Sequence, residues 1–77
     1  MAAVAVKIVS DDWVAVISDE GKELTKICAG GGGPVGKITN ATINGNNITI
    51  TTERSTQLWE VYDVVYNTCK TKHIRNL

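Results

Sequence analysis

The sequence predicts a small α+β protein that is mainly β, with a five-stranded antiparallel sheet or partial barrel and one C-terminal helix. Three observations predict this fold. The apolar residues are mostly Val and Ile, and β-branched side chains fit a pleated, half-buried surface. Apolar runs alternate with short polar turns, among them the hairpin signal Asn44-Gly45. Towards the C-terminus, polar residues recur at helical spacing.

The length indicates one domain, residues 1–77, near the lower limit of what folds alone. The chain is 43% hydrophobic, which is enough for a core, and its formal net charge is zero. Zero net charge disfavours nucleic acid as the main partner, because duplex binding neutralises several phosphates. Burial of an interface would stabilise so small a fold, so we expect self-association.

Three strands are predicted in the N-terminal half. The first covers residues 3–9 and ends at the polar turn 10–12, whose short side chains bond their own backbone. The second, residues 13–17, is continuously apolar, which is typical of a central strand. A turn at residues 19–21, with its glycine in the left-handed region, leads to a third strand at 22–28.

The clearest prediction is a hairpin formed by residues 38–43 and 47–52 around Asn44-Gly45. A two-residue loop and a four-residue loop are both compatible with the pattern, and their registers differ by two residues. In either register, one face carries the apolar side chains Ile43, Ala41, Ile48 and Ile50.

Residues 55–70 are interpreted as the helix. Glu60, Asp63, Asn67 and Lys70 follow each other at spacings of three and four, which places them on one stripe. The rival interpretation is an all-β, SH3-like barrel in which residues 57–66 form the last strand. Residues 71–77 are expected to form a basic C-terminal tail.

A glycine-rich loop, residues 28–37, separates the two halves. Its spacing matches G-x-G-x-x-G, but that motif needs a following helix to hold a phosphate, and the predicted hairpin follows instead. The loop is either a mobile connection or a partner-binding segment whose bare amides act as donors. The candidate binding residues are Gly30, Gly31, Gly32, Gly33, Lys37 and Trp59.

A second group of candidates is basic and lies near the C-terminus. Contact with an anionic partner would use Lys70, Lys72, His73 and Arg75. A solvated chain end is the simpler interpretation, since a few like charges at a terminus are common. Trp13 and Trp59 are expected in the core; if either is exposed, it becomes the natural anchor for a partner.

Catalytic chemistry finds little support in the sequence. The single histidine lies in the expected tail, and the paired acids occupy turns, where they serve turn geometry. We therefore predict that the protein is not an enzyme and has no metal site and no cofactor. Cys28 and Cys69 are expected as buried free thiols, with a disulfide between them as the alternative.

By elimination, the sequence favours a non-enzymatic binding module that self-associates and occupies a protein partner. One alternative is a binder of a small anion or nucleotide-like ligand through the glycine-rich loop. Another is nucleic-acid contact through the basic C-terminus. With no export signal and no membrane span, we expect a soluble, cytoplasmic protein.

Overall fold

The computed structural model describes residues 3–30, 35–65 and 68–77, and the described residues form two antiparallel sheets. The first sheet has the order β1-β2-β3 and the second the order β4-β5-β6-β7. The strands are β1 (Ala3–Ile8), β2 (Trp13–Ser18), β3 (Glu23–Cys28), β4 (Ile38–Asn44), β5 (Asn47–Thr52), β6 (Thr56–Val65) and β7 (Thr68–Asn76). The described residues form no helix, and therefore no helix that is long and apolar enough to cross a membrane.

The core lies between the two sheets. Its fully buried side chains come from both: Val14, Val16, Ile27, Ile48, Ile50 and Val61. At the sides, β1 lies beside β4 and β3 beside β7, yet no strand ladder joins either pair among the described residues. The result is a sandwich in which each sheet buries one face and leaves the other in solvent.

The predicted N-terminal strands and the hairpin are confirmed. Gly21 and Gly45 have φ values of 83° and 62°, the left-handed conformation that their turns require. In the hairpin, Ile43 pairs with Ile48 and Ala41 with Ile50, which is the register expected for the four-residue loop. The expected apolar face therefore turns towards the core. Asn44 also pairs with Asn47, so the loop itself consists of only Gly45 and Asn46.

The predicted C-terminal helix and basic tail are wrong. Residues 56–65 and 68–76 form the antiparallel pair β6–β7. The all-β alternative is therefore correct as to fold class, although a further strand, β7, follows the strand that it took to be the last. The helical spacing arises because a bulge interrupts β6: Asp63 has φ 49°, and the register shifts between Tyr62 and Val65. Glu60 shares the solvent face with Leu58 and Tyr62, an arrangement that an outer face tolerates.

The prediction of a single five-stranded sheet is also wrong, because the chain divides into two sheets at the glycine-rich connection. Both ends of this connection are held by backbone bonds. The Ala29 and Ile38 amides donate to the carbonyls of Asp12 and Asp11, each at 2.9 Å, and the Arg54 amide donates to the Val35 carbonyl at 3.1 Å. The turn between β1 and β2 and the turn between β5 and β6 thus hold the two ends of the connection where the chain passes from one sheet to the other.

Candidate partner-binding face and inter-sheet cleft

The outer face of the first sheet carries exposed apolar side chains. Strand alternation places Val14 and Val16 in the core and turns Trp13, Ala15 and Ile17 outwards. Trp13 is 40% exposed, and Val9, whose amide bonds to the Trp13 carbonyl, is 43% exposed. A shallow depression opens here, lined by Val9, Ser10, Trp13 and Lys26. Trp13 therefore lies outside the core, contrary to the sequence expectation.

Two lysines flank this apolar surface. Lys7 and Lys26 pair with Ala15 from either side, so the three residues form one cross-strand row. Ala15, the residue between them on the central strand, is only 1% exposed. Among the described residues, neither lysine has a carboxylate within ion-pair distance. We call this surface the Trp13 face: Ala5, Lys7, Val9, Trp13, Ala15, Ile17, Glu23, Lys26 and Cys28.

The outer face of the second sheet, the Tyr62 face, is different. One cross-strand row runs from Thr42 through Thr49 and Leu58 to Arg75. The pairings assign to this face Asn40, Thr42, Asn44, Asn47, Thr49, Thr51, Thr56, Leu58, Glu60, Tyr62, Lys70, Lys72 and Arg75. Most of these side chains are polar, as expected for a solvated sheet surface.

Two of the three cations on the Tyr62 face, Lys70 and Lys72, have carboxylate partners, whereas Arg75 has none among the described residues. Lys72 Nζ lies 3.3 Å from Glu60 Oε1 and 5.5 Å from the centre of the Tyr62 ring. Lys70 Nζ lies 4.0 Å from Asp63 Oδ2. Of the four basic residues singled out in the sequence, Lys70, Lys72 and Arg75 share this face, while His73 pairs with Trp59 on the inner side.

The inter-sheet cleft lies at the side of the sandwich, where the end of β3 meets β6 and β7. It has a volume of about 280 Å³. Its lining residues are Cys28, Ala29, Gly30, Val35, Gln57, Trp59, His73 and Asn76. The cleft brings together Gly30, Trp59 and His73, which the sequence placed in separate candidate groups.

A buried amide organises this cleft. The Gln57 side chain is 7% exposed, and its Nε2 donates to the Ala29 carbonyl at 2.8 Å, which ties β6 to the end of the first sheet. Its Oε1 accepts a bond from Trp59 Nε1 at 2.9 Å, which fixes the indole ring. Both polar ends of the amide are satisfied, as burial requires.

The C-terminal strand supplies the other wall. The His73 ring meets the Trp59 ring edge-on, with centroids 5.2 Å apart and planes at 60°. His73 Nε2 lies 3.0 Å from Asn76 Oδ1. In the tautomer that is protonated at Nε2, the ring donates to this carboxamide oxygen. A register shift near Ile74 brings His73 and Asn76, three residues apart, to the same inner face.

Lys37 does not join the cleft. Its amide donates to Glu53 Oε1 at 2.9 Å, and its Nζ lies 3.9 Å from Asp11 Oδ2. The neighbouring Gly36, with φ 76°, approaches Glu53 so closely that an added Cβ would lie 2.7 Å from Oε1. These contacts give Gly36 and Lys37 a structural role at the connection. Gly31, Gly32 and Gly33 lie outside the described residues.

The two cysteines are free, as expected, but only Cys69 is buried. Burial raises the pKa of the Cys69 thiol above its ordinary value. Cys28 is exposed at the mouth of the cleft. Within the described ranges, His, Cys, Asp and Glu side chains form no cluster of three or more that could hold a metal ion.

Several residues of these two sites were missed in the sequence. Gln57 and Asn76 carry no motif, and the bulges in β6–β7 hide the alternation that would have grouped them. Lys7 and Lys26 could have been found, because alternation along β1, β2 and β3 turns them to the same outer face as Trp13.

Comparison with known proteins identifies no relative: no protein-family model, no curated protein and no solved structure gives a significant match.

Proposed function

We propose that this protein is a non-enzymatic binding module that docks onto a partner protein through the Trp13 face. The observation that carries the proposal is the exposed Trp13 beside Val9, at a depression that can receive a side chain. Tryptophan is favoured at binding hot spots, because it buries a large apolar area with few rotatable bonds.

The lysines define the chemistry of the partner. Lys7 and Lys26 contribute two positive charges with no ion-pair partner among the described residues, and Glu23, paired with Ile17, adds one acid to the same face. An acidic segment carrying one large apolar side chain is complementary to this arrangement. A second copy of this chain would bring lysines towards lysines, so an acidic partner is favoured over self-association through this face.

Two alternatives carry less support. Self-association of the chain stays a prediction. Light scattering over a range of protein concentrations tests it. Nucleic-acid contact would use the Tyr62 face, but Lys70 and Lys72 already face Asp63 and Glu60, which lowers the charge available for phosphates.

Selection from a random peptide library tests the proposal. Immobilised protein should enrich peptides in which Asp or Glu flanks an aromatic or large aliphatic residue. The purified peptides should lose affinity for a Trp13→Ala variant and keep it for a Tyr62→Ala variant. Enrichment of basic peptides, or peptides that bind both variants equally well, would overturn the proposal.

A further inference from the structure

We propose that the element which docks on the Trp13 face is an acidic amphipathic α-helix of the partner, lying along β2 with Lys7 on one side and Lys26 on the other. This inference rests on the docking function proposed above and adds the secondary structure and the charge pattern of the partner. Three features of the first sheet support it: an apolar stripe along the central strand, two lysines that flank this stripe, and edges that other strands approach closely.

The outward side chains of β2 form the apolar stripe. Trp13, Ala15 and Ile17 occupy every second position, so the stripe is about 14 Å long. An α-helix covers the same length with about nine residues, or about two and a half turns. The apolar side of an amphipathic helix is therefore complementary to the stripe in length and in character.

The two lysines set the width and the charge of the site. Lys7 and Lys26 are both cross-strand partners of Ala15, so their Cα atoms are two strand spacings apart, about 9–10 Å. A helix with its side chains is about 10–12 Å across, so one lysine lies on each of its flanks. On the helix, those flanks are the e and g positions beside the apolar a and d positions. Glutamate at e and g therefore meets a lysine on each side.

The edges of the first sheet favour a helix over an added strand. Cα atoms of β1 approach those of β4 within 8 Å, and Cα atoms of β3 approach those of β7 within the same distance. A strand inserted between either pair would need about 9–10 Å, twice the strand spacing. The partner must therefore lie on the face, where an extended chain would turn unpaired N–H and C=O groups towards apolar side chains. A helix bonds most of these groups internally.

The two ends of the stripe differ, and this difference fixes the order of residues along the helix. Trp13 and Val9 lie at one end, beside the depression, whereas Glu23 pairs with Ile17 at the other. A large apolar residue of the helix fits the Trp13 end, and a basic residue about nine positions away fits the Glu23 end. The acids lie between these two residues.

The test uses a designed peptide of two heptads with leucine at a and d, glutamate at e and g, and a lysine at the end remote from the first leucine. A lactam bridge between b and f, on the outer side, holds one version helical; a proline at f breaks the helix in the other. The bridged peptide should bind about tenfold or more tightly than the proline peptide, because it is preorganised and keeps the same contact residues. Calorimetric titration measures both affinities, with Trp13→Ala expected to weaken the bridged peptide and Tyr62→Ala expected to leave it unchanged.

The outcomes separate this inference from the docking function. Equal affinities of the two peptides, both reduced by Trp13→Ala, would overturn the helix and leave docking on the Trp13 face standing. The same holds if the bridged peptide fails to bind while library-selected acidic peptides bind without gaining helical circular dichroism. If no acidic peptide binds, or if Trp13→Ala changes no affinity, the docking function and the helix fall together.

Neutralising one lysine at a time tests whether the helix lies between the two. Lys7→Gln and Lys26→Gln should each weaken binding of the bridged peptide about two- to fivefold at low salt, the effect of one exposed ion pair. Lys70→Gln, which removes the same charge from the Tyr62 face, is the matched control and should leave the affinity unchanged. An effect of only one of the two lysines on the Trp13 face would contradict a helix flanked by both.

Discussion

The two outer faces of this sandwich differ in how they satisfy their own charges. On the Tyr62 face, Lys70 and Lys72 lie within 4.0 Å and 3.3 Å of carboxylates, only Arg75 lacks one among the described residues, and Thr side chains fill the neighbouring strands. On the Trp13 face, two lysines without such partners flank Ala15, two residues along β2 from an exposed indole. A face that satisfies itself suits solvent, whereas a face with unmatched charge and apolar area suits a partner.

The two outer faces exist because the inner faces of the sheets pack against each other. The clearest hydrogen bond between the two halves is that from the Gln57 side chain to the Ala29 carbonyl. We expect Gln57→Leu to lower the free energy of unfolding by about 2 kcal/mol, because the Ala29 carbonyl and Trp59 Nε1 lose their partner. Urea denaturation measures the change. Thr51→Val, a half-buried substitution on β5, is the control and should cost less. A Gln57→Leu variant as stable as the parent would show that the amide does not join the sheets.

Trp13 and Tyr62 are the matched pair that separates the faces. Both are exposed aromatics, at 40% and 39%, one on each outer face. Trp13→Ala should weaken binding of a selected acidic peptide about tenfold or more, the effect of losing a hot-spot anchor. Tyr62→Ala should leave the affinity within about twofold, because it removes no contact with the peptide. Calorimetric titration measures both values; equal losses would remove the distinction between the faces.

Charge reversal sharpens the electrostatic half of the comparison. The double variant Lys7→Glu, Lys26→Glu should slow association with an acidic peptide several-fold, because rim charges act mainly on the association rate. The salt dependence of that rate should shrink or change sign. Lys70→Glu with Lys72→Glu, the same charge change on the other face, is the control. If the control slows association as much, the net charge of the protein decides the rate.

Ion pairing on the Tyr62 face should affect stability only slightly. Glu60→Gln removes the carboxylate facing Lys72, and exposed pairs of this kind contribute about 0.2–1 kcal/mol. Thermal unfolding at low and high salt should show a small loss that salt removes. Glu23→Gln, on β3, is the control, since Glu23 has no ion pair among the described residues. A loss well above 1 kcal/mol would mean that the pair does more than neutralise the surface.

The smallest effect concerns pH and the inner side of β7. Burial holds the pKa of the Cys69 thiol above its ordinary value of 9.0. Above about that pH the unfolded chain loses a proton that the folded chain keeps, so stability falls as pH rises. The decline should be shallower in Cys69→Ala than in the parent, and Cys28→Ala should decline as the parent does. Identical slopes in all three proteins would contradict a buried Cys69.

Much of the first half of the fold could be read from the sequence. The strands β1 to β3 follow from apolar runs separated by polar turns, and the apolar face of the β4–β5 hairpin follows from alternation, with glycines at left-handed turns. The C-terminal third could not be read in this way. The bulges at Asp63 and near Ile74 break the two-residue period and leave a spacing that resembles a helix.

The candidate sites show the same limit. Gly30, Trp59 and His73 were singled out for separate reasons, and only the register of β6 with β7 and the position of the β3 end bring them to one cleft. Lys37 was named as a binding cation because it follows the glycines. Its contacts with Glu53 and Asp11 depend on which turns lie beside the connection, which local sequence does not specify.

The most direct test of the docking proposal is a map of backbone amide chemical shifts during titration with a selected acidic peptide. Docking on the Trp13 face predicts that the largest shifts occur at Lys7, Val9, Trp13 and Lys26, while Thr49 and Tyr62 stay unchanged. Shifts concentrated at Thr49, Tyr62 and Lys72, with none around Trp13, would contradict it.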